Sequence, residues 1–439
     1  MPHQPTRRQF LQTTAAAGVG FWVAGGVQAA ESRSPNQRIA MASIGIGGKG
    51  DSDSNDAGRS GDMVAICDVD ENTLNGIGRR FPNAKKYTDF RKMLDEMGKS
   101  IDAVTVSTPD HMHAPAALMA MRMGKHAFVQ KPLTRTIYEA RLLGMVARLM
   151  KVATQMGNQG TADGGLREGA AKIRAGALGT VSEVHVWTNR PIWPQGINRP
   201  APKPEPANLK WQEWLGVAPE RPYADGYHPF KWRGWWDFGS GALGDMACHT
   251  VNMAFMALDL RNPTSVQAVT SGHNKDSYPS WSIINFEFPA NNWRPAIKFT
   301  WYDGGKKVDP GKLDGENPGG SGALVIGSKG KAYSKGDYGG VSKWLGNVEQ
   351  PKVDVPHSPG HFKEWVEAIR GGKPAMSNFP DYAGPLTETI LLGNLAVWAA
   401  DKGEGPKVEW DAQNLKVKNV QGLEQIVKPV YRPGYTLDV

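Results

Sequence analysis

The sequence has few of the residues that mark several protein classes. Its 439 residues include two cysteines, Cys67 and Cys248, which excludes a disulfide scaffold and any cysteine-rich metal module, and we expect both to be free thiols. Beyond residue 30, no apolar run reaches the roughly 18 residues that a membrane-spanning helix needs. The net charge of +8 is mild and its basic residues are scattered. We therefore expect no membrane span and no nucleic-acid partner.

Residues 1–30 have the pattern of a targeting segment. Arg7 and Arg8 stand before Phe10-Leu11, and an Ala- and Gly-rich apolar run follows, ending in small residues near Ala29. This order predicts a twin-arginine signal peptide, and hence export to the periplasm or beyond. The competing interpretation is a tail in which two arginines are adjacent by chance. A cofactor of an exported chain of this kind would be inserted before export.

Short apolar runs alternate with helix-like stretches through residues 38–158. Strands are predicted at 38–45, 62–68, 101–107, 126–129 and 152–157, and helices at 71–81, 89–97, 114–123 and 136–150. This alternation predicts an α/β domain in which helices cover both faces of a parallel sheet.

The character of the sequence changes in residues 159–420. Helices are predicted at 166–175, 243–258, 361–370 and 386–400, and strands at 181–188, 265–271, 282–288, 295–301 and 324–333. These patterns predict a second, α+β domain with an open, mostly antiparallel sheet. A Trp- and Pro-rich insertion occupies 190–237, and 421–439 is a C-terminal tail.

The first predicted strand leads directly into a glycine-rich loop. Residues 45–50 read G-I-G-G-K-G and fit the dinucleotide-binding pattern. Gly45 permits the tight turn, Gly47 lets the backbone approach a pyrophosphate, and Gly50 allows the next helix to lie close to the strand. Gly48 of the same loop is also a candidate cofactor-binding residue. This predicts a Rossmann domain, and the alternative is a glycine loop in a sheet that binds no nucleotide.

Asp68 ends the second predicted strand, about 20 residues after the loop, where the ribose-binding acid of such domains is expected. Its carboxylate would accept hydrogen bonds from the ribose hydroxyls and repel a 2′-phosphate. This favours NAD as the cofactor. Arg79 and Arg80 leave NADP open, since either could accommodate a phosphate.

Two further motifs follow the third strand and enclose the fourth. Residues 108–113 read T-P-D-H-M-H, and residues 124–132 read G-K-H-A-F-V-Q-K-P. Together with G-A-L-G-D-M-A-C-H at 241–249, they resemble the Gfo/Idh/MocA oxidoreductases, which include glucose–fructose oxidoreductase and inositol dehydrogenase. The resemblance covers most of residues 38–300. The second motif usually reads Glu-Lys-Pro in that family, whereas Gln130 precedes the lysine here.

Three residues of these motifs have the chemistry for catalysis on a hydroxyl group. Asp245 and His249 lie four apart on a predicted helix and therefore share a face. Histidine suits proton exchange with a hydroxyl, and a nearby carboxylate would orient the ring and raise its basicity. The ammonium of Lys131 can stabilise charge on the reacting oxygen. The resemblance implies that Lys131, Asp245 and His249 form a catalytic set beside the nicotinamide; the alternatives are a surface helix pair and an ordinary strand-end lysine.

Other polar residues near these motifs are candidates for cofactor contacts. His111 and His113 have no further ligands at metal-binding spacing, so no metal site is predicted. The resemblance implies that Pro109 and His113 line the nicotinamide, together with Lys131. Asn158 follows another predicted strand and would reach cofactor or substrate, although a plain turn explains it almost as well.

Tryptophan is abundant: the chain has 15, and seven of them lie between Trp187 and Trp236. Flat aromatic faces stack on sugar rings, so a loop of this composition beside the site predicts a carbohydrate ligand. The alternative is a packed aromatic core that makes the insertion rigid, and Trp211 and Trp214 fit that alternative better. The candidate substrate residues are Arg190, Trp193, Tyr227, His228, Trp232, Trp235 and Trp236.

The predicted function is an exported NAD(P)-dependent oxidoreductase that acts on a hydroxyl of a sugar or cyclitol. Free NAD is not expected outside the cytoplasm, so the cofactor would be tightly bound and recycled in place. A redox-neutral, NAD-dependent glycoside hydrolase meets the same condition and stays open, as does a sugar-binding protein without activity. The resemblance also suggests a homo-oligomer, either a dimer or a tetramer.

Overall fold

The computed structural model describes residues 38–437, so the predicted signal peptide lies outside the described residues. The first domain contains a six-stranded, wholly parallel sheet with strand order β3-β2-β1-β4-β5-β6. Its strands are β1 (Ile39–Ile44), β2 (Gly61–Cys67), β3 (Lys85–Tyr87), β4 (Ala103–Val106), β5 (His126–Val129) and β6 (Thr154–Met156). Its helices are α1 (Lys49–Ser60), α2 (Glu71–Ile77), α3 (Phe90–Met97), α4 (His113–Arg122) and α5 (Ile137–Met150).

The central strands of this sheet are buried on both faces, which explains their continuous apolar sequences. The four residues of β4, A-V-T-V, are all buried. Short polar signals set the helix boundaries: the side chain of Asp89 caps α3 by accepting from the N–H of Arg91, and Thr136 and Glu139 form a capping box at the start of α5. The carboxyl ends of the strands consequently meet at one edge, where ligands of such sheets bind.

The second domain is built on a ten-stranded sheet, whose main path runs β13-β12-β11-β7-β10-β9-β8-β15-β16, with β14 beside β8. Its strands are β7 (Val181–Trp187), β8 (Ser265–Thr270), β9 (Ser282–Phe288), β10 (Ile297–Tyr302), β11 (Gly322–Gly327), β12 (Gly330–Lys335), β13 (Lys343–Leu345), β14 (Gly403–Glu404), β15 (Val408–Asp411) and β16 (Lys416–Val417). Its helices are α6 (Gly164–Arg174), α7 (Trp211–Leu215), α8 (Gly241–Thr250), α9 (Asn252–Leu258), α10 (His361–Ile369), α11 (Gly384–Ala400) and α12 (Glu424–Val427).

In this sheet β7 and β10 pair in parallel, and the other neighbouring strands that the structure describes are antiparallel. The predicted α/β class, with a Rossmann domain and a second domain on a mostly antiparallel sheet, is therefore confirmed. One hydrophobic cluster joins the two domains, running from Val106 and Val129 through Leu243 to Phe286. Both cysteines are buried and free, as predicted.

Two predicted elements differ from the structure. The strand predicted at 324–333 is a hairpin of β11 and β12, because the chain turns between Gly327 and Gly330, the latter at φ 151. The helix predicted at 243–258 is broken into α8 and α9. At the break, the Thr250 hydroxyl donates to the carbonyl of Met246, a local bond that bends helices.

No helix within residues 38–437 has both the length and the hydropathy needed to cross a membrane.

Candidate active site

The glycine-rich loop connects β1 to α1 in a conformation that few other residues could adopt. Gly45 has φ 75, and a Cβ on it would lie 2.8 Å from the carbonyl oxygen of Ser107. A Cβ on Gly50 would lie 2.1 Å from the carbonyl oxygen of Gly45. Gly48, at φ 56, begins α1 with no side-chain cap, and nothing lies within 4 Å of its Cβ position. The loop therefore presents open backbone at a helix N-terminus, which fits a pyrophosphate.

Asp68 stands beside this loop at the end of β2. Its two carboxylate oxygens accept from the N–H groups of Ile46 and Asp70, each at 2.9 Å, and its Oδ2 lies 3.9 Å from the Cβ position of Gly47. Burial raises the pKa of Asp68 above its ordinary value, while these N–H donors oppose the rise. The carboxylate is thus fixed in place and keeps lone pairs for ribose hydroxyls.

Neither predicted phosphate-binding arginine contacts Asp68. Arg80 donates to Asp51 at 2.6 Å, and Arg79 donates to the carbonyl of Gly76 at 3.3 Å.

Lys131 and Asp245 come together although they lie on different domains. The Lys131 ammonium donates to the Asp245 backbone oxygen at 2.7 Å and to its Oδ1 at 3.0 Å. Both side chains are mostly buried, 18% and 13% exposed. Burial works to raise the pKa of Asp245, but the cations of Lys131 and Arg233 outweigh it and hold the pKa below its ordinary value. Asp245 is therefore a carboxylate whose charge is matched by neighbouring cations.

Arg233 is the second cation on Asp245, and the sequence analysis missed it. Its Nε donates to Asp245 Oδ1 at 3.1 Å, and its Nη1 donates to the carbonyl of Phe230 at 3.1 Å. Its guanidinium carbon lies 4.2 Å from the ring centre of Trp232 and 4.7 Å from that of Phe230, a cation–π arrangement. Arg233 lies in a segment without regular periodicity, so no sequence pattern distinguished it from the other arginines.

His249 lies one turn after Asp245 on α8 and is 4% exposed. Its Nδ1 is buried and has no hydrogen-bond partner among the described residues. Burial, followed by the charge of Lys131, lowers the pKa of His249 well below its ordinary value, although Asp245 acts in the other direction. Asp245 thus acts to raise the basicity of this ring, as expected, but burial and Lys131 outweigh it and the net shift is downward. The ring is therefore neutral at neutral pH and free to accept a proton.

Tyr338 is a further residue that sequence reasoning missed. Its ring centre lies 4.6 Å from that of His249 in an edge-on arrangement, and the residue is 47% exposed. It belongs to the loop between β12 and β13, where no sequence pattern distinguished it. The exposed ring of Tyr338 thus packs against the buried imidazole of His249.

His113 and Asn158 are both predicted to contact the cofactor, but they differ in whether a hydrogen-bonding group remains unpaired for a ligand. The ring nitrogens of His113 each lie 2.8 Å from a carbonyl oxygen, of Pro132 and of Thr108, so the ring links the T-P-D loop to the Lys131-Pro132 segment. The Oδ1 of Asn158 accepts from Ser377, whereas its buried Nδ2 has no partner among residues 38–437. Asn158 therefore keeps a donor for a ligand. Pro109 begins the T-P-D turn and is partly exposed.

Asp110, His111 and Met112 of the T-P-D-H-M-H motif are also buried. Each ring nitrogen of His111 lies near a backbone oxygen, Phe238 at 3.2 Å and Trp214 at 3.0 Å. Asp110 accepts from the Ser240 hydroxyl at 2.6 Å, and burial raises its pKa to about 7. Within residues 38–437, no cluster of three or more His, Cys, Asp or Glu could hold a metal ion.

The structure gives a physical reason for Gln130. Its Nε2 donates to Asp53 Oδ2 at 2.9 Å. Asp53 is 2% exposed and also accepts from the Ser107 hydroxyl at 2.7 Å and the Lys49 ammonium at 2.8 Å. Asp53 thus supplies a carboxylate next to the Gln-Lys-Pro motif, and the Gln130 amide offers it a donor that an ionised glutamate would lack.

The aromatic residues of the insertion are buried rather than presented to solvent. Trp193, Tyr227, Trp232, Trp235 and Trp236 are each at most 6% exposed. Such burial is what the alternative of a packed aromatic core predicts. The main insertion cluster, which includes the two tryptophans predicted as core, consists of Leu209, Trp211, Trp214, Leu215, Ala218, Ala224, Tyr227, Trp232, Trp235 and Phe238.

Arg190 and His228 are less enclosed than those rings. Burial lowers the pKa of His228, and the charge of Arg190 contributes to lowering that of His249. The sugar-binding role predicted for the insertion residues stays a prediction, and the burial of the five rings does not favour it for them.

Fold and site together define an oxidoreductase with an NAD-binding domain. Residues 38–158 match the family model for the NAD-binding Rossmann fold of the oxidoreductase family, and residues 175–437 match the model for its C-terminal alpha/beta domain. The chain belongs to the Gfo/Idh/MocA oxidoreductase family.

Curated relatives match over limited stretches. Levoglucosan dehydrogenase of Pseudarthrobacter phenanthrenivorans is 26% identical over 176 residues, 40% of this chain and 37% of that protein. A glycosyl hydrolase family 109 protein of Saccharopolyspora erythraea is 32% identical over 161 residues, 30% of this chain and 35% of that protein. An alpha-N-acetylgalactosaminidase of Shewanella oneidensis is 34% identical over 107 residues, which are 22% of this chain and 23% of that protein. The chain thus spans about a quarter to a third of the length of these relatives.

Solved structures match over most of the chain. The WlbA dehydrogenase from Bordetella pertussis, in complex with NADH and UDP-GlcNAcA, has a TM-score of 0.60 at 17% identity, covering 84% of this chain and 99% of that one. The aldose-aldose oxidoreductase from Caulobacter crescentus, complexed with glycerol, has a TM-score of 0.57 at 16% identity. The match covers 85% of this chain and 100% of that one. At this identity the likeness establishes the fold.

Proposed function

We propose that this chain is an exported NAD-dependent oxidoreductase that acts on a hydroxyl group of a sugar or cyclitol and keeps its cofactor bound between turnovers. One observation carries the proposal: the Lys131 ammonium is fixed to Asp245, one helical turn before His249, at the carboxyl edge of the NAD-binding sheet. Relatives and structural neighbours that act on sugars support the substrate class.

Each of the three residues has a role that follows from its contacts. Bound nicotinamide supplies two-electron oxidation and reduction. The neutral His249 ring accepts the proton of the substrate hydroxyl as the carbonyl forms. Lys131 uses two of its three N–H groups on Asp245, so one remains for the substrate oxygen. Asp245, held by Lys131 and Arg233, orients that ammonium.

Export, which the twin-arginine pattern at Arg7 and Arg8 predicts, determines how such an enzyme would turn over. Free NAD is not expected outside the cytoplasm, so a net dehydrogenase would stop after one turnover. The oxidation of one sugar would then be coupled to the reduction of a second carbonyl compound. NADP is the less favoured cofactor because Asp68 stands where a 2′-phosphate would lie. A homo-oligomer, dimer or tetramer, is part of this proposal.

A second candidate is redox-neutral glycoside cleavage, favoured by the matches to glycosyl hydrolase family 109 proteins. Oxidation at one sugar carbon acidifies the neighbouring C–H, the leaving group is eliminated, water adds, and the carbonyl is reduced again. The net reaction is hydrolysis, with no change in the redox state of the protein. The same lysine and histidine serve both candidates.

One experiment separates these functions. Purified protein is incubated with free sugars and with aryl glycosides, while the near-ultraviolet absorbance of reduced nicotinamide and the release of aglycone are followed. A reduced-cofactor signal with a free sugar, discharged by a second carbonyl compound, is expected. Aglycone release without net reduction would replace the oxidoreductase with the glycosidase. The Lys131→Met variant is the control, because it should lose either activity while retaining the glycine-rich loop.

A further inference from the structure

The insertion at 190–237 runs along the carboxyl edge of the first sheet and contacts the first domain at three points. A dinucleotide in this fold lies across that same edge, with its adenosine ribose near the acid after β2 and its nicotinamide near the later strands. The contacts of the insertion follow the same direction, from the end of β2 to the end of β5.

The first contact lies directly after Asp68. The N–H of Glu71 donates to the carbonyl of Asn208 at 2.8 Å, and the N–H of Lys210 donates to the carbonyl of Val69 at 2.9 Å. The Asn208 side chain donates to Asp70 at 2.8 Å, and the Lys210 ammonium lies 2.7 Å from the Glu71 carboxylate. The insertion is therefore paired by backbone and side chains with the segment that directly follows the ribose-binding acid.

The second contact lies at the T-P-D-H-M-H loop after β4. His111 is held between the carbonyls of Trp214 and Phe238, and its ring lies 5.4 Å from each of theirs. A Cβ on Gly216 would lie 1.9 Å from the sulfur of Met112, which shows how closely the insertion approaches this loop.

The third contact lies at the catalytic set. Arg135, which follows β5 in the first domain, donates to the carbonyl of Trp236 at 2.9 Å. Arg233 of the insertion binds Asp245 of the second domain, whose carboxylate in turn holds Lys131 of the first. The segments after three strands of the first sheet, β2, β4 and β5, are thus each tied to the insertion.

The insertion has an aromatic core of its own and is also bound by the C-terminal tail. Its aromatic cluster also packs against Val69, so its core is continuous with the segment after β2. From the C-terminal tail, Arg432 donates through its backbone to Val217 at 3.1 Å and through its side chain to Gly216 at 2.9 Å and to Glu220 at 2.8 Å. A segment fixed on both sides does not leave the edge of the sheet easily.

We propose that the insertion is a clamp that retains the cofactor. It is held to the edge of the first sheet at the ribose end through Asn208 and Lys210, and at the nicotinamide end through the bond from Arg135 to Trp236. NAD leaves when the insertion detaches from the edge of the sheet. This inference rests on the proposed function in one respect, the retention of the cofactor through successive turnovers.

The test measures cofactor release in the absence of any sugar. Protein loaded with NADH is mixed with excess NAD, and the loss of bound-NADH fluorescence, excited through tryptophan, is followed. The Asn208→Ala/Lys210→Met variant loses an amide hydrogen bond and an ion pair at the ribose end, so release is expected to be about tenfold faster. The control is Lys203→Met, which removes an exposed ion pair with Asp225 within the insertion and should release NADH at the rate of the unaltered protein.

Unchanged release from the double variant would overturn the clamp. A second measurement needs no variant and therefore no assumption about its folding: hydrogen exchange at the N–H groups of Glu71 and Lys210 in the unaltered protein, with and without NADH. Slower exchange with NADH is expected, and equal exchange would count against the clamp. Neither experiment involves a substrate, so a negative result here leaves the sugar assay to decide the proposed function independently.

Discussion

Replacing Gln130 with glutamate would restore the motif usual in the family, and in this chain we expect it to destabilise the protein. The Gln130 amide nitrogen lies 2.9 Å from Asp53 Oδ2, and both residues are at most 5% exposed. In Gln130→Glu a second carboxylate oxygen would occupy the position of the donor. Two carboxylates at this distance do not both ionise, so the pair would share one proton.

The magnitude follows from the cost of keeping that proton. A carboxyl group with an ordinary pKa of about 4.3 loses about 1.4 kcal/mol for each pH unit at which it is held protonated above that value. The shared proton makes a hydrogen bond that replaces the lost amide bond. The variant is therefore expected to be about 1 kcal/mol less stable than the unaltered protein at pH 5 and up to about 4 kcal/mol less stable at pH 7.

The direction in which the stability of Gln130→Glu changes with pH follows from the linkage between proton binding and folding. The folded pair binds a proton that the unfolded chain releases above pH 4.3 or so, so the stability of Gln130→Glu falls as pH rises. Urea unfolding at pH 5, 6, 7 and 8 measures this. The double variant Asp53→Asn/Gln130→Glu, in which the amide and the carboxylate exchange places, should recover most of the loss, with Asp53→Asn alone as the control. A Gln130→Glu protein with the same urea midpoint as the unaltered protein at pH 8 would refute the reasoning.

Three further predictions concern single residues. Gly50→Ala should abolish NADH binding and lower the melting temperature, because its Cβ would lie 2.1 Å from the carbonyl of Gly45, whereas Gly76→Ala, with nothing within 4 Å, should do neither. Asp68→Ala should weaken NADH binding by about tenfold and NADPH binding by less, as measured by fluorescence titration, and an equal loss would contradict its ribose role. Asp110→Asn should flatten the pH dependence of unfolding between about pH 4 and 7, because a folded-state pKa raised to about 7 makes the unaltered protein lose stability as pH rises through that range. A curve unchanged by the substitution would show that Asp110 does not titrate there.

The parallel sheet and the nucleotide loop were predictable because their signals are local. A strand buried on both faces has a short apolar sequence, as in the A-V-T-V of β4. The glycine spacing is required by the backbone conformation and close contacts at Gly45 and Gly50, so it is visible in the sequence. The hairpin at 322–335 was less predictable. Its two strands are joined by Ser328-Lys329, which is too short a break to interrupt the alternating pattern.

Lys131, Asp245 and His249 could be chosen from the sequence because each lies within a compact motif. The protonation state of His249 could not be predicted from the sequence, because it depends on burial. Burial lowers the pKa of the ring, whereas the neighbouring carboxylate alone would raise it. Arg233 and Tyr338 could not be chosen either. Each reaches the site from a segment without regular periodicity, so its contact depends on the tertiary path of that segment.

The abundance of tryptophan has a physical explanation in the insertion. A segment with α7 as its main regular element gains little order from backbone hydrogen bonding within itself, so buried side chains must offset the entropy of fixing it. Aromatic rings bury the most area per residue at a cost of few rotatable bonds. Arg233 packs on the face of Trp232 and donates to Asp245. The aromatic packing of the insertion thus positions one arginine, Arg233, against the carboxylate that holds Lys131, and therefore helps to fix the position of that carboxylate.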